Sequence, residues 1–303
     1  MTGVQTCALP ISPKKLTLND QVAQIQEKFN VVGREKQLKM LLVAIRANKH
    51  VIMEGVVGTG KTYLAQAIAE FTDSKFIRVD GSEDVYAHTL TGYFDPPAIM
   101  SEGYKEDSFI YGPLTNAMQD GAVLFINELN RLPEQTQNVL LSALDEKKLI
   151  IPKLKTVQAR KGFILISTQN PAAHVGVSAL GEALKDRFVW IDVSYQDKNE
   201  EIEIVCQNLD SIEDDEVRTE IADIAVSIVR ETRDHPEIRQ GASIRGAIDL
   251  AQLVQSLEEE ADREFWFDAA VMAIHTKIEI VEGADRSSAE ILADIVDRVL
   301  DHF

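Results

Sequence analysis

The chain has 303 residues, 45% hydrophobic and 26% charged, a balance that fits a globular protein of one large domain or two ordinary ones. Its net charge of −18 argues against a general nucleic-acid binder, which needs a basic surface against phosphates, although a local basic pore is compatible with it. No apolar run reaches the roughly 20 residues that a bilayer span requires, so no membrane association is expected.

The first stretch, Met1 to Ile11, reads MTGVQTCALPI and resembles the translation of a sequencing-library adapter. Residues 1–12 are therefore expected to be non-native, which makes Cys7 an artefact and leaves Cys206 alone. The stretch has no basic start and too short an apolar core for a secretory signal. A single cysteine suits a reducing compartment, and the expected location is cytoplasmic.

Beyond it, Val32-Gly33-Arg34-Glu35 precedes a helical pattern with Leu38, Leu41, Leu42 and Ile45 on one face. Val51 to Met53 reads as a short buried strand, and Leu64, Ala67, Ile68 and Phe71 recur at helical spacing. Phe76 to Val79 is a second strand. Gly81 to Gly112 is a long irregular region, a kind of loop that is functional or holds small elements of its own. Ala122 to Ile126 is a third strand, followed by a helix begun at Pro133 and carrying Thr136, Leu140, Ala143 and Leu144. Leu149–Ile151 and Thr156–Gln158 form a hairpin pattern, Phe163 to Ile166 a fourth strand and Val189 to Val193 a fifth. Five short apolar strands alternating with helices predict a parallel α/β sheet sandwiched by helices. From about Gln196 helical periodicity takes over, as in Ile244, Ala247, Ile248, Ala251 and Val254, and an all-helical second domain is expected. The expected division is 13–195 and 196–303. Glu258, Glu259, Glu260, Asp262 and Glu264 read as a solvated helix face.

The chemistry concentrates between the first strand and its helix. Gly55-Val56-Val57-Gly58-Thr59-Gly60-Lys61-Thr62 fits the phosphate-loop pattern G-x-x-x-x-G-K-[ST], and Tyr63 follows it into the helix. Glycines let backbone N–H groups curl around a polyphosphate, and the helix N-terminus adds donors and a positive dipole. Lys61 would reach the β- and γ-phosphates, and the Thr62 hydroxyl would ligate Mg²⁺. A nucleotide site in a parallel sheet lies at the carboxyl ends of the strands, which marks the residues just after them. Glu128 is placed to orient or deprotonate an attacking water. Asn127 stands where an aspartate normally holds Mg²⁺ through water; its carbonyl can still accept from metal-bound water, at a cost to metal affinity or turnover. Asn170 would offer its amide to the γ-phosphate or the water. Arg187, just before the fifth strand, would neutralise charge on a transferring phosphoryl group, a role worth on the order of 10³–10⁵ in rate. Ser243 is a candidate N-cap, which puts Arg245 in a first turn, unfavourable for a cation unless a phosphate is bound there.

Taken together, GVVGTGKT, FINELNR, STQNP, EALKDRF and TRDHPEIRQGASIR come in the order found in the MoxR family of AAA+ ATPases, which this chain resembles from about Val31 to Val254. The resemblance implies an AAA+ P-loop fold with a helical lid, with ATP and Mg²⁺ as cofactors. It makes Lys61 and Thr62 Walker A, Glu128 the Walker B glutamate, Asn170 sensor 1, Arg245 sensor 2 and Arg187 a finger acting on ATP of the neighbouring subunit. It further implies a homo-oligomeric ring, usually a hexamer, that remodels or activates a client protein, often beside a von Willebrand factor A-domain partner. Asn127 departs from the family's aspartate, and Ile244 from the proline often found before the sensor 2 arginine. Two other readings stand beside this one: an ATP-gated assembly module with negligible hydrolysis, and a nucleic-acid motor of the same superfamily, which the acidic charge disfavours.

Overall fold

The structure is a computed structural model that describes residues 16–170, 180–257 and 261–303. The adapter-like start, Pro171 and Glu258 to Glu260 of the acidic cluster lie outside the described residues. Helix α1 (Leu18–Phe29) opens on a capping box in which the Thr17 hydroxyl and the Asp20 carboxylate each accept the other's N–H. Helix α2 (Glu35–Arg46) buries Leu38, Leu41 and Leu42, the face that the periodicity marks.

Strand β1 (His50–Glu54) leads through the glycine loop into α3 (Lys61–Phe71), and β2 (Phe76–Asp80) follows. The irregular region holds α4 (Ala87–Thr91), β3 (Gly92–Phe94), α5 (Pro96–Glu102) and β4 (Phe109–Tyr111). Strands β3 and β4 pair antiparallel, and the rings of Phe94 and Phe109 meet edge-on at 4.9 Å. Then come α6 (Pro113–Asp120), β5 (Val123–Asn127), α7 (Glu134–Asp145), the antiparallel hairpin β6 (Lys148–Ile151) and β7 (Lys155–Gln158), and β8 (Ile164–Gln169). A short α8 (Glu182–Lys185) and β9 (Phe188–Asp192) complete this half.

Five strands form one parallel sheet in the order β2-β5-β8-β1-β9. Alternate side chains of the inner strands feed two cores, because successive residues of a strand face opposite ways. Val51, Met53, Val123 and Phe125 pack with α1, α2 and α3; Ile52, Leu124 and Ile126 pack with α6, α7 and the hairpin. Both faces are thus covered, as a parallel sheet requires. The outer strands differ from the expectation of uniformly apolar strands. In β9, Val189 and Trp190 are exposed, because an edge strand has a neighbour on one side only.

Helices α9 (Lys198–Cys206) and α10 (Asp215–Asp234) begin the C-terminal region, whose core joins Val205, Ala225, Val229, Leu250, Trp266 and Ile295. Between them and the end lie β10 (Ile238–Gln240), α11 (Ile244–Gln255), α12 (Arg263–Ile274), β11 (Glu279–Ile280) and α13 (Ser288–Leu300). The region is helical as expected, with one addition: β10 and β11 pair antiparallel. Two or three residues per strand are too few to leave a periodic trace in sequence. Among the described residues no helix is long and apolar enough to cross a membrane.

Candidate nucleotide site

The loop between β1 and α3 has the backbone that its glycines permit. Gly58 and Gly60 sit at φ +82° and +83°, in the left-handed region that side chains disfavour. At Gly58 the need is doubled, since a Cβ there would lie 2.4 Å from Ser243 Oγ of the helical region. No side chain caps α3, so the N–H groups of its first turn face the loop's hollow as ready anion donors. From below, Arg34 donates through Nη2 to the Thr59 carbonyl at 3.0 Å, and the Thr59 hydroxyl donates to the Val56 carbonyl at 3.1 Å. Lys61 Nζ donates to the carbonyls of Gly55 (2.8 Å) and Val56 (2.6 Å). Burial brings its pKa down to about 8; the Glu128 carboxylate pulls the other way, and Arg245 and Arg34 add to the depression.

A cavity of about 380 Å³ opens over this loop. Val57, Gly58, Thr59, Gly60, Lys61, Thr62 and Tyr63 line it, and Asn127, Glu128, Asn170 and Arg245 reach it from β5, β8 and α11. Gly55 and Val56 stand behind the wall and contribute the carbonyls that Lys61 holds. Arg245 is in the first turn of α11 as expected, but the Ser243 hydroxyl does not cap that helix; it lies instead against Gly58. A second cavity of about 500 Å³ shares Gly58, Thr59, Gly60, Tyr63 and Arg245 with the first. Val31, Val32, Leu64, Ile204 and Ile248 make it apolar, and Gln196 and Asn208 give it polar edges, a shape suited to a purine base. Sequence reasoning missed this cavity, because its walls come from four separate stretches of the chain. It also missed Arg34, placed by the entry to α2, and Arg78 and Thr168, whose places depend on strand register.

At the strand ends the polar groups form one network. Glu128 takes a left-handed backbone (φ 55°), and its N–H donates to Thr168 Oγ1 at 2.8 Å. The Thr168 hydroxyl donates to Asn127 Oδ1 at 2.9 Å, and Asn127 Nδ2 donates to Asp80 Oδ1 at 3.1 Å. Glu128 Oε2 accepts from Arg131 Nη1 at 2.9 Å.

Arg187 lies elsewhere. It immediately precedes β9, whose first residue pairs with His50 at the start of β1, whereas the phosphate loop follows the end of β1. A five-residue strand separates them, roughly 16 Å. There Arg187 donates through Nε and Nη2 to both oxygens of Asp145, each at 2.7 Å.

The loop fits a polyphosphate, because the positive φ of Gly58 and Gly60 lets its backbone curl round a hollow lined by Lys61 and the uncapped start of α3. For a metal, Thr62 Oγ and Asn127 Oδ1 are the hard oxygen donors present. Among the described residues no three His, Cys, Asp or Glu gather to hold an ion. That suits Mg²⁺, which takes one or two protein ligands alongside phosphate oxygens.

The AAA domain family, dynein-related subfamily, matches residues 50–188, the span from β1 to the start of β9. A Staphylococcus aureus protein, itself uncharacterized, is 31% identical over 215 residues, 70% of this chain and 81% of that one. The chain belongs to this AAA family. The uncharacterized protein YojN of Bacillus subtilis is similar too, 29% identical over 262 residues, 83% of this chain and 85% of its own length. Among solved structures, a Cytophaga hutchinsonii protein described as a candidate ATPase aligns with a TM-score of 0.52, 23% identity and coverage of 92% and 94% of the two chains. A variant of Thermotoga maritima RuvB aligns with a TM-score of 0.50, 19% identity and coverage of 90% and 71%. At those identities the two structures show the shared AAA fold: a five-stranded parallel sheet followed by a helical region. Membership of the family implies that this chain binds ATP.

Proposed function

We propose that this AAA protein hydrolyses ATP in the manner of the MoxR type, as a ring of identical chains whose sites are completed between neighbours, and that it spends the cycle on remodelling a client protein. The division of labour follows 13–195 as the nucleotide-binding part and 196–303 as the lid. The observation that carries the proposal is the separation just described: Lys61, Glu128, Asn170 and Arg245 share one cavity, while Arg187 is held a strand's length away, where only another chain's site can use it.

In this reading Lys61 leaves the Gly55 and Val56 carbonyls and pairs with the β- and γ-phosphate oxygens. Mg²⁺, held by Thr62 and through water by Asn127, supplies charge neutralisation at the phosphates. Glu128 accepts a proton from the attacking water, and the Asn170 amide orients that water or the γ-phosphate. Arg245 reports the phosphate to the helical region, whose α11 it opens. Loss of the γ-phosphate releases that contact and lets the lid move against the sheet. A von Willebrand factor A-domain protein is the partner class that the MoxR resemblance suggests, and the cytoplasm the compartment.

ATP hydrolysis measured against protein concentration tests this. Specific activity is expected to rise steeply with concentration and to collapse in Arg187→Ala, with ATP binding kept. A rate independent of concentration, or an Arg187→Ala variant as active as its parent, would overturn it.

A second reading, an ATP-gated assembly module that barely hydrolyses, draws support from the Glu128–Arg131 ion pair and from Asn127. Multiple-turnover phosphate release separates the two readings. Stimulation of turnover by DNA or RNA would point to a nucleic-acid motor instead, and none is expected.

A further inference from the structure

Asn127 poses a chemical problem for the ATPase reading. An amide has two ends, and only its oxygen can accept from a metal-bound water, whose lone pair is committed to the ion. An asparagine in this position serves the metal only if its rotation is fixed.

Two flanking strands fix it. Asp80 stands directly opposite Asn127 in the parallel register of β2 on β5, and Asn127 Nδ2 donates to Asp80 Oδ1 at 3.1 Å. Arg78 in turn grips Asp80, donating from Nε to Oδ2 at 3.0 Å and from Nη2 to Oδ1 at 2.7 Å. A carboxylate only accepts, so the group that faces it must be the NH₂. On the other flank, β8 brings the Thr168 hydroxyl, which donates its one proton to Asn127 Oδ1 while its oxygen accepts the Glu128 N–H. Both contacts demand the same rotation. In the strand order β2-β5-β8-β1, that rotation points the NH₂ away from the phosphate loop and the carbonyl oxygen towards it. The oxygen keeps a second lone pair free. The negative charge missing from Asn127 is present one strand further out, roughly 5 Å away.

We propose that Asp80 is a positioning residue for the metal side of this site: it turns Asn127 so that its carbonyl faces the phosphate loop. The proposal rests on the ATPase reading above. It also makes the pair reversible, because an aspartate at 127 beside an asparagine at 80 forms the same hydrogen bond in the opposite sense, whereas two aspartates would repel.

The test is Mn²⁺ binding, followed by its electron paramagnetic resonance signal, to the full chain loaded with a non-hydrolysable ATP analogue. Analogue affinity in EDTA and thermal melting are measured alongside. Asp80→Asn is expected to weaken Mn²⁺ by about tenfold, the lower end of what outer-shell changes cost a metal, with the EDTA affinity within about twofold. The double variant Asp80→Asn with Asn127→Asp is expected to recover Mn²⁺ affinity to at least the parent's level, above that of Asn127→Asp alone. Unchanged Mn²⁺ affinity in Asp80→Asn, or a double variant no better than Asp80→Asn, would overturn the proposal while leaving the ATPase reading standing. Failure of the unsubstituted chain to bind the analogue at all would remove the ATPase reading, and this proposal with it.

Discussion

Lys61 makes the site sensitive to pH before any nucleotide arrives. Burial has already brought its pKa to about 8, so the unliganded chain sheds the charge that a phosphate needs as pH climbs past that value. ATP affinity in EDTA is therefore expected to be level below pH 8 and to fall by about tenfold per unit above it. Lys61→Arg, whose guanidinium does not titrate, should abolish that fall; a fluorescent-nucleotide titration reads both. Glu128 is held differently, by Arg131 on one side and through its backbone by Thr168 on the other. Glu128→Gln is expected to bind ATP as the parent does and to lose turnover by on the order of 10²–10⁴, the worth of a positioned base. Single-turnover hydrolysis beside equilibrium binding would expose a variant that hydrolyses normally, and with it a wrong base. At this scale the sequence was partly legible. Lys61 and Thr62 sit in a contiguous pattern that carries its own geometry, and Glu128 follows a strand recognisable as Ala122 to Ile126. Asp80 and Thr168 gave no signal. Each is an ordinary polar residue until the register of β2, β5 and β8 sets them on either side of Asn127.

Strand β1 carries the two ends of the chemistry. At its far end the phosphate loop begins; at its near end His50 is buried and accepts the Leu165 N–H on Nδ1 at 2.9 Å. Burial, reinforced by Lys147, keeps the imidazole neutral with a pKa of about 4, below the 6.5 of a free histidine. The folded value is the lower one, so the unfolded chain takes up the proton first. Stability owed to His50 is complete above pH 6.5 and is lost as pH falls towards 4, about 3 kcal/mol in all. Urea unfolding across that window should show a steeper loss in the parent than in His50→Gln, which has no proton to gain. Inner strands such as β1 and β5 could be read from composition, since burial on both faces leaves unbroken apolar runs. The edge position of β9 could not: Val189 and Trp190 look like core residues in sequence, yet they are exposed because nothing pairs beyond them. The β10–β11 ladder escaped for the opposite reason, being too short to show a period.

The whole molecule is built in two cored halves that meet at the nucleotide cavities, with Gly58 against Ser243 and Arg245 reaching across. Nothing in the linear pattern told how closely they meet, because that contact depends on a residue's missing Cβ. The larger asymmetry is the placing of Arg187. It is bound by Asp145 at one rim of the sheet, while the phosphate loop lies at the other. A contact that sets Arg187 of one chain against the cavity of another is either reciprocal, as in a two-fold dimer, or head-to-tail, as in a ring or filament, and the ring proposed above takes the second form. In the proposed ring each chain would lend to one neighbour and borrow from the other. Two dead proteins can therefore make a live one. Lys61→Ala has an intact arginine and no working loop, Arg187→Ala the reverse, and mixed in equal amounts they form a productive junction at about one interface in four. Activity regained on mixing, from partners each inert alone, would be the signature of that loan between chains.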